Sequence, residues 1–231
     1  MAMWFIGVRK DGILALVCAF AIIWCLGQVF FDESVAVFAM PVSRKIVWVD
    51  AGHGAYDPGK VAGNVLEKDI NLAIALKLQV LLETGGATVF MTRLDDESLS
   101  PTKQGDMYTR RVMANASQAD IFVSIHQNSY PQRNVHGAQV FYFNTSDNSR
   151  KLAEHIQTQI KEFAGTNKRL QARANKNYYV LRQTTMPAVI VECGFLTNPG
   201  DRGKLTKKDY QERIAWGIYL GIVQYFYEID G

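Results

Sequence analysis

Cysteine is scarce in this 231-residue chain: there are three, and two of them, Cys18 and Cys25, lie in one apolar run near the start. Only Cys193 remains beyond that run, so no intramolecular disulfide is available there and an ordinary core must hold the rest together. A single cysteine at the end of an apolar stretch reads as a buried side chain rather than a ligand or nucleophile. Histidine is also scarce, with four residues (His53, His126, His136 and His155), which closes the list of imidazole candidates. None of them forms an H-E-x-x-H pair. The chain has no internal repeat and no low-complexity stretch. It has no stripe of interleaved basic and aromatic residues, which argues against nucleic acid as a partner.

A long uncharged run occurs once, from Gly12 to Phe31, with Arg9 and Lys10 before it and Asp32 and Glu33 after it. About 20 apolar residues suffice to cross a bilayer core as a helix. The flanking charges place the N-terminus inside and the remainder outside. The competing reading is a cleaved signal peptide, with Val37-Phe38-Ala39 as the small-residue cleavage site. Both readings make residues 1–40 an export segment and residues 41–231 an exported domain. Export without disulfides suits a bacterial envelope protein. The formal net charge is +3. The first forty residues are slightly acidic, so the exported part is mildly basic and compatible with an anionic polymer such as cell wall.

Beyond Ser43, strand-like and helix-like segments alternate. Lys45–Asp50, Ala87–Thr92, Asp120–His126 and Ala188–Glu192 read as buried strands, Gln139–Phe143 as a further strand, and Tyr178–Leu181 as a short one. Helices are expected over Glu67–Thr84, Gly105–Ser117, Asn148–Phe163 and Asp209–Tyr227. In the first of these Ile70, Ala73, Ile74, Leu78, Leu81 and Leu82 recur at helical spacing, and Gly85-Gly86 ends it. Continuous apolar strands separated by helices predict an α/β domain: a mostly parallel sheet with helices on both faces.

Four polar residues fall where such a fold gathers a site. His53, flanked by Gly52 and Gly54, follows a buried strand directly, and His126 and Glu192 each end one. Ligands in open α/β sheets collect at the carboxyl ends of strands. Glu67 sits in the first turn of a helix, fourteen residues after His53, where the helix dipole favours a carboxylate. Each has a plain alternative: a loop histidine, a helix-start acid, a hydrogen-bonded core histidine. A glutamate ending a Val-Ile-Val run is harder to dismiss, because a buried carboxylate needs a partner or a task. Two imidazoles and one carboxylate, with a fourth position open, suit a catalytic zinc. Glu192 then suits proton transfer. His136 and His155 read as surface residues.

The segments Val49-Asp50-Ala51-Gly52-His53-Gly54 with Asp57-Pro58-Gly59, Glu67-Lys68-Asp69-Ile70-Asn71-Leu72, Thr92-Arg93, Asp120 to Asn128, Gly137 to Tyr142 and Val191-Glu192-Cys193-Gly194-Phe195-Leu196-Thr197-Asn198 follow the order seen in the zinc-dependent N-acetylmuramoyl-L-alanine amidases, which this chain resembles over residues 45 to 228. The resemblance implies a twisted sheet of about six strands, and one Zn²⁺ per domain held by His53, Glu67 and His126. It also implies a catalytic Glu192 and peptidoglycan as substrate. Asp50 and Asn128 become candidates for orienting the ligands. Arg182 becomes one for meeting a stem-peptide carboxylate, a structural role being the alternative. Two departures, Gln127 after His126 and Cys193 after Glu192, alter pocket shape rather than the ligand set. The short layout with its N-terminal apolar segment resembles the germination-specific spore-cortex amidases of the CwlD type. Two other functions stay open: a membrane-tethered wall-binding protein without activity, and a zinc peptidase of the stem peptide.

Overall fold

Side-chain alternation along three adjacent strands builds both the core and the edge on which the site stands. In the computed structural model, β1 (Ile46–Ala51) pairs in parallel with β5 (Ile121–Asn128), and β5 with β8 (Ala188–Phe195). Successive residues of a strand face opposite sides. Val47, Val49 and Ala51 therefore join Ile121, Val123, Ile125, Val189 and Val191 in one apolar cluster, while Trp48, Phe122 and Ile190 join another. Asp50, Ser124, His126 and Glu192 share the strand parity of the second set and continue its face to the carboxyl ends of the strands.

The sheet has six strands, in the order β4 (Thr88–Met91), β1, β5, β8, β6 (Gln139–Phe143) and β7 (Arg173–Asn175). β4 runs parallel to β1, and β6 runs antiparallel to β8. β7 pairs in parallel with β6. Helices α1 (Glu67–Thr84), α3 (Asp147–Phe163) and α6 (Lys208–Asp230) cover the first face. The apolar stripe Ile214, Ile218, Ile222 and Phe226 of α6 is buried there, as its spacing predicts. Ala114 of α2 (Lys103–Ala116) and Leu181 of α4 (Tyr179–Gln183) cover the second face. The expected α/β architecture is therefore present, with two additions. A two-stranded ladder, β2 (Val61–Ala62) with β3 (Val65–Leu66), stands between the His53 loop and α1. A short helix, α5 (Pro199–Leu205), starts on an Asn198 side chain that accepts from Asp201 N at 2.9 Å.

One expected element is wrong. Tyr178–Leu181 is no strand; Tyr179–Gln183 forms α4. The strand partner of β6 is instead Arg173–Asn175. Asn175 Oδ1 then accepts from the backbone N–H groups of Asn177 and Tyr178 at 2.7 and 3.0 Å, which turns the chain into the helix. A four-residue apolar run carries no periodicity that separates the two outcomes.

The structure describes residues 17–22, 24 and 40–230. The expected membrane or signal helix and the Val37-Phe38-Ala39 cleavage site lie largely outside them. Among the described residues no helix is long and apolar enough to cross a membrane. The chain divides into two compact units, residues 1–38 and 39–231, and every element named above lies in the second.

Candidate metal centre

The turn after β1 leaves the sheet with carbonyls that no strand can satisfy, and two buried arginines take them. Arg110 of α2 donates from Nη1 to Ala51 O at 2.8 Å and from Nη2 to His53 O at 2.7 Å. Arg93 donates to Ala51 O at 3.0 Å and Gly52 O at 3.2 Å. A guanidinium has five donors in one plane, so it suits a strained turn. His53 itself is left-handed, with φ of 62°. The Arg110 charge is met by Asp50 at 2.6 Å and by Asp106 one helical turn away. Asp50 also accepts from Ser124 Oγ at 2.6 Å. Burial opposes ionisation of Asp50, yet Arg110 and the Ser124 hydrogen bond hold its carboxyl below the usual range. Asp50 thus supports the His53 turn from beneath.

Above this base, His53 Nε2 and His126 Nδ1 converge on one oxygen, Glu67 Oε1, at 3.2 and 3.0 Å. A tetrahedral zinc with bonds of about 2.0–2.1 Å has ligand-to-ligand edges of about 3.3–3.4 Å, so these separations fit it. His53 Nδ1 lies 2.8 Å from Asp57 Oδ2. Only the ring nitrogen can donate in that pair, which fixes the proton on Nδ1 and leaves Nε2 free to bind a cation. Glu67 is buried and clamped: Oε2 accepts from Lys60 N at 2.7 Å and Oε1 from Gln127 N at 3.0 Å. Burial works against its ionisation, but His126 and His53 hold its carboxyl far below the usual range. Asn71, one turn along α1, donates to Gly52 O at 3.0 Å and accepts from Gln127 Nε2 at 3.1 Å, tying helix, loop and strand together.

Glu192 stands beside this triad. It is 7% exposed. Tyr178 Oη donates to its Oε1 at 3.5 Å, while Oε2 is buried without a hydrogen-bond partner among the described residues. Burial pushes its carboxyl up to about 7, with the nearby His126 holding it back. A carboxyl so placed can take and return a proton near neutral pH. A cavity of about 140 Å³ joins the groups, lined by Asp50, His53, Asp57, His126, Tyr178 and Glu192 among others.

The structure brings His53, Glu67, His126, Glu192 and Asp50 together. Asn128 turns its Oδ1 to Ser129 N at 2.8 Å and gives its carbonyl to Leu196 N at 2.9 Å, joining strand ends rather than touching the ligands. Arg182 is exposed on α4 and does not line the cavity. His136 and His155 lie elsewhere, bonded to Asn134 O and to Glu228 respectively. Cys193 is fully buried, and burial pushes its thiol up, as suits a core residue. Asp57, Arg110 and Tyr178 went unassigned in the sequence. Asp57 had a local signal, four residues from His53; the other two had none.

A family model described as N-acetylmuramoyl-L-alanine amidase matches residues 47–224. The germination-specific N-acetylmuramoyl-L-alanine amidase of Bacillus subtilis is 35% identical over 205 residues, 85% of this chain and 86% of that protein. The CwlD amidase from Clostridioides difficile, solved in complex with the GerS lipoprotein, superposes with a TM-score of 0.76 at 38% identity, covering 80% of this chain and all of that one. The catalytic domain of CwlV, an N-acetylmuramoyl-L-alanine amidase from Bacillus (Paenibacillus) polymyxa, gives a TM-score of 0.71 at 36% identity over 78% of this chain and 97% of that one. Sequence and fold agree, and the chain belongs to the N-acetylmuramoyl-L-alanine amidase family.

Proposed function

We propose that this chain is a zinc-dependent hydrolase that cuts the amide between N-acetylmuramic acid and L-alanine in peptidoglycan, outside the cytoplasm. Residues 1–40 serve as its export segment and residues 41–231 as its catalytic domain. The observation that carries the reading is Glu192, a buried carboxyl with one unpartnered oxygen, set beside two imidazoles and a carboxylate at zinc-ligand spacing. His53, Glu67 and His126 would hold the ion. When bound, zinc supplies Lewis acidity and lowers the pKa of adjacent water. Glu192 takes a proton from the attacking water and delivers it to the departing nitrogen of L-alanine. Tyr178 positions Glu192. Asp57 keeps the His53 ring in its orientation, and Arg110 holds the turn that presents it. The likeness to the germination-specific amidase of Bacillus subtilis supports a role in spore-cortex remodelling.

The test is mass spectrometry of purified wall after digestion, with and without chelator. New L-alanine N-termini that vanish with chelator and return with zinc are expected. Cleavage inside the stem peptide would point to a peptidase instead. Wall binding without products would point to a tethered binding protein.

A further inference from the structure

A second groove, of about 500 Å³, is lined by the β2–β3 ladder, the segment after β5 and the start of α5. Lys60, Arg133 and Arg202 line it, with Tyr130 and Thr197, and no carboxylate does among the described residues. None of the three cations makes an ion pair or a side-chain hydrogen bond among the described residues, whereas Lys45, Lys68, Lys77 and Lys103 all have acidic partners. Asp201, next to Arg202, is buried and spends one oxygen on the backbone N–H groups of Gly137 and Phe195, at 2.7 and 3.0 Å. A cleft lined by one sign of charge concentrates its field on whatever enters. The groove adjoins the candidate metal centre through Lys60, whose backbone N–H donates to Glu67 Oε2 at 2.7 Å. Ser129, also in its lining, is three residues beyond His126.

We infer that this groove is the subsite for the peptide arm of the substrate and that Lys60, Arg133 and Arg202 receive its free carboxylates. The inference rests on the amidase reading above. The glycan arm is neutral at the cleavage site, since the lactyl carboxyl of muramic acid is consumed in the amide. The stem peptide is acidic, carrying the free carboxyl of its glutamate and those of later residues. The first of these lies within about two residue lengths, ~7 Å, of the scissile nitrogen. A cationic groove next to the ligand set therefore sorts the two arms and fixes which way the substrate lies.

The experiment uses the zinc-loaded protein and two synthetic disaccharide-tripeptides, one with free carboxylates and one with each converted to an amide. Wild type should show a KM about tenfold lower for the acidic form, the order expected of two partly exposed ion pairs. Arg133→Gln/Arg202→Gln should raise KM for the acidic form about tenfold, hold kcat within about twofold, and leave the amidated form unchanged. Equal KM for both forms in wild type, or a parallel loss on both in the variant, overturns the proposal. Binding of a fluorescent acidic tripeptide without the sugar is measured alongside, since it needs no hydrolysis. If neither disaccharide is cut but the tripeptide still binds wild type better than the variant, the amidase reading falls and the anionic-peptide groove stands. No difference between wild type and variant removes the groove. Tighter, arginine-dependent binding of a glycerol-phosphate polymer than of the tripeptide also overturns it.

Discussion

His126 and Glu192 stand opposite each other as register partners on the parallel strands β5 and β8. His126 Nδ1 lies 3.0 Å from Glu67 Oε1, inside the proposed ligand set, and Glu192 stands outside that set, so their losses should separate. Glu192→Gln should retain one zinc per chain by elemental analysis and lose about 10²- to 10⁴-fold in amide hydrolysis. His126→Ala should lose the zinc as well. Substantial turnover by Glu192→Gln would remove it from the proton path.

The rate should rise with pH through the ionisation of Glu192, because only the carboxylate accepts a proton. Burial, opposed by His126 and His53, sets that ionisation at about 7; a bound cation favours the charged form and moves it lower. The Tyr178 hydrogen bond also favours the charged form. Tyr178→Phe should therefore move the acid limb of kcat/KM to higher pH. A limb that stays put while kcat falls would limit Tyr178 to packing.

Arg110 and Asp50 form a buried pair, 4% and 2% exposed in their side chains. Breaking such a pair strands a charge, so Arg110→Met should cost about 3–5 kcal/mol in urea unfolding. The Asp50 carboxyl is held low in the folded state, so its contribution is complete above the unfolded value of about 3.9 and is lost as pH falls through the folded one. The variant should accordingly show a flatter acid limb of stability.

Gly52 faces the His126 ring so closely that any Cβ there would overlap it. Gly52→Ala should displace the imidazole and weaken zinc binding by about 10- to 100-fold in competition with a chromogenic chelator. Zinc affinity equal to wild type would show that the ring can yield at no cost.

Much of this was legible in the sequence. Val47 to Val49 and Val189 to Val191 are β-branched-rich runs that suit a strand covered on both faces, and a polar residue ending each run marks the functional edge. The i,i+4 repeat of α1 fixed its length, and Glu67 at its first residue followed. Arg110 was not legible, because with Asp106 one turn earlier it resembles an ordinary exposed helix pair; its partners Asp50 and His53 are some sixty positions away. Tyr178 was missed for a related reason. The turn set by the Asn175 side chain overrides a short apolar run that local pattern assigns to a strand.

Strand β6 runs against its neighbour β8, which puts Gln139 directly beside Glu192. The segment from Ser129 to Ala138 therefore leaves the rim at the end of β5 and returns to that same rim. Because both of its anchor points are fixed by the sheet, its length can grow or shrink without shifting any strand. Among relatives, changes in how far the enzyme reaches over a cross-linked polymer should concentrate there, making this segment the natural place for grafting a new preference.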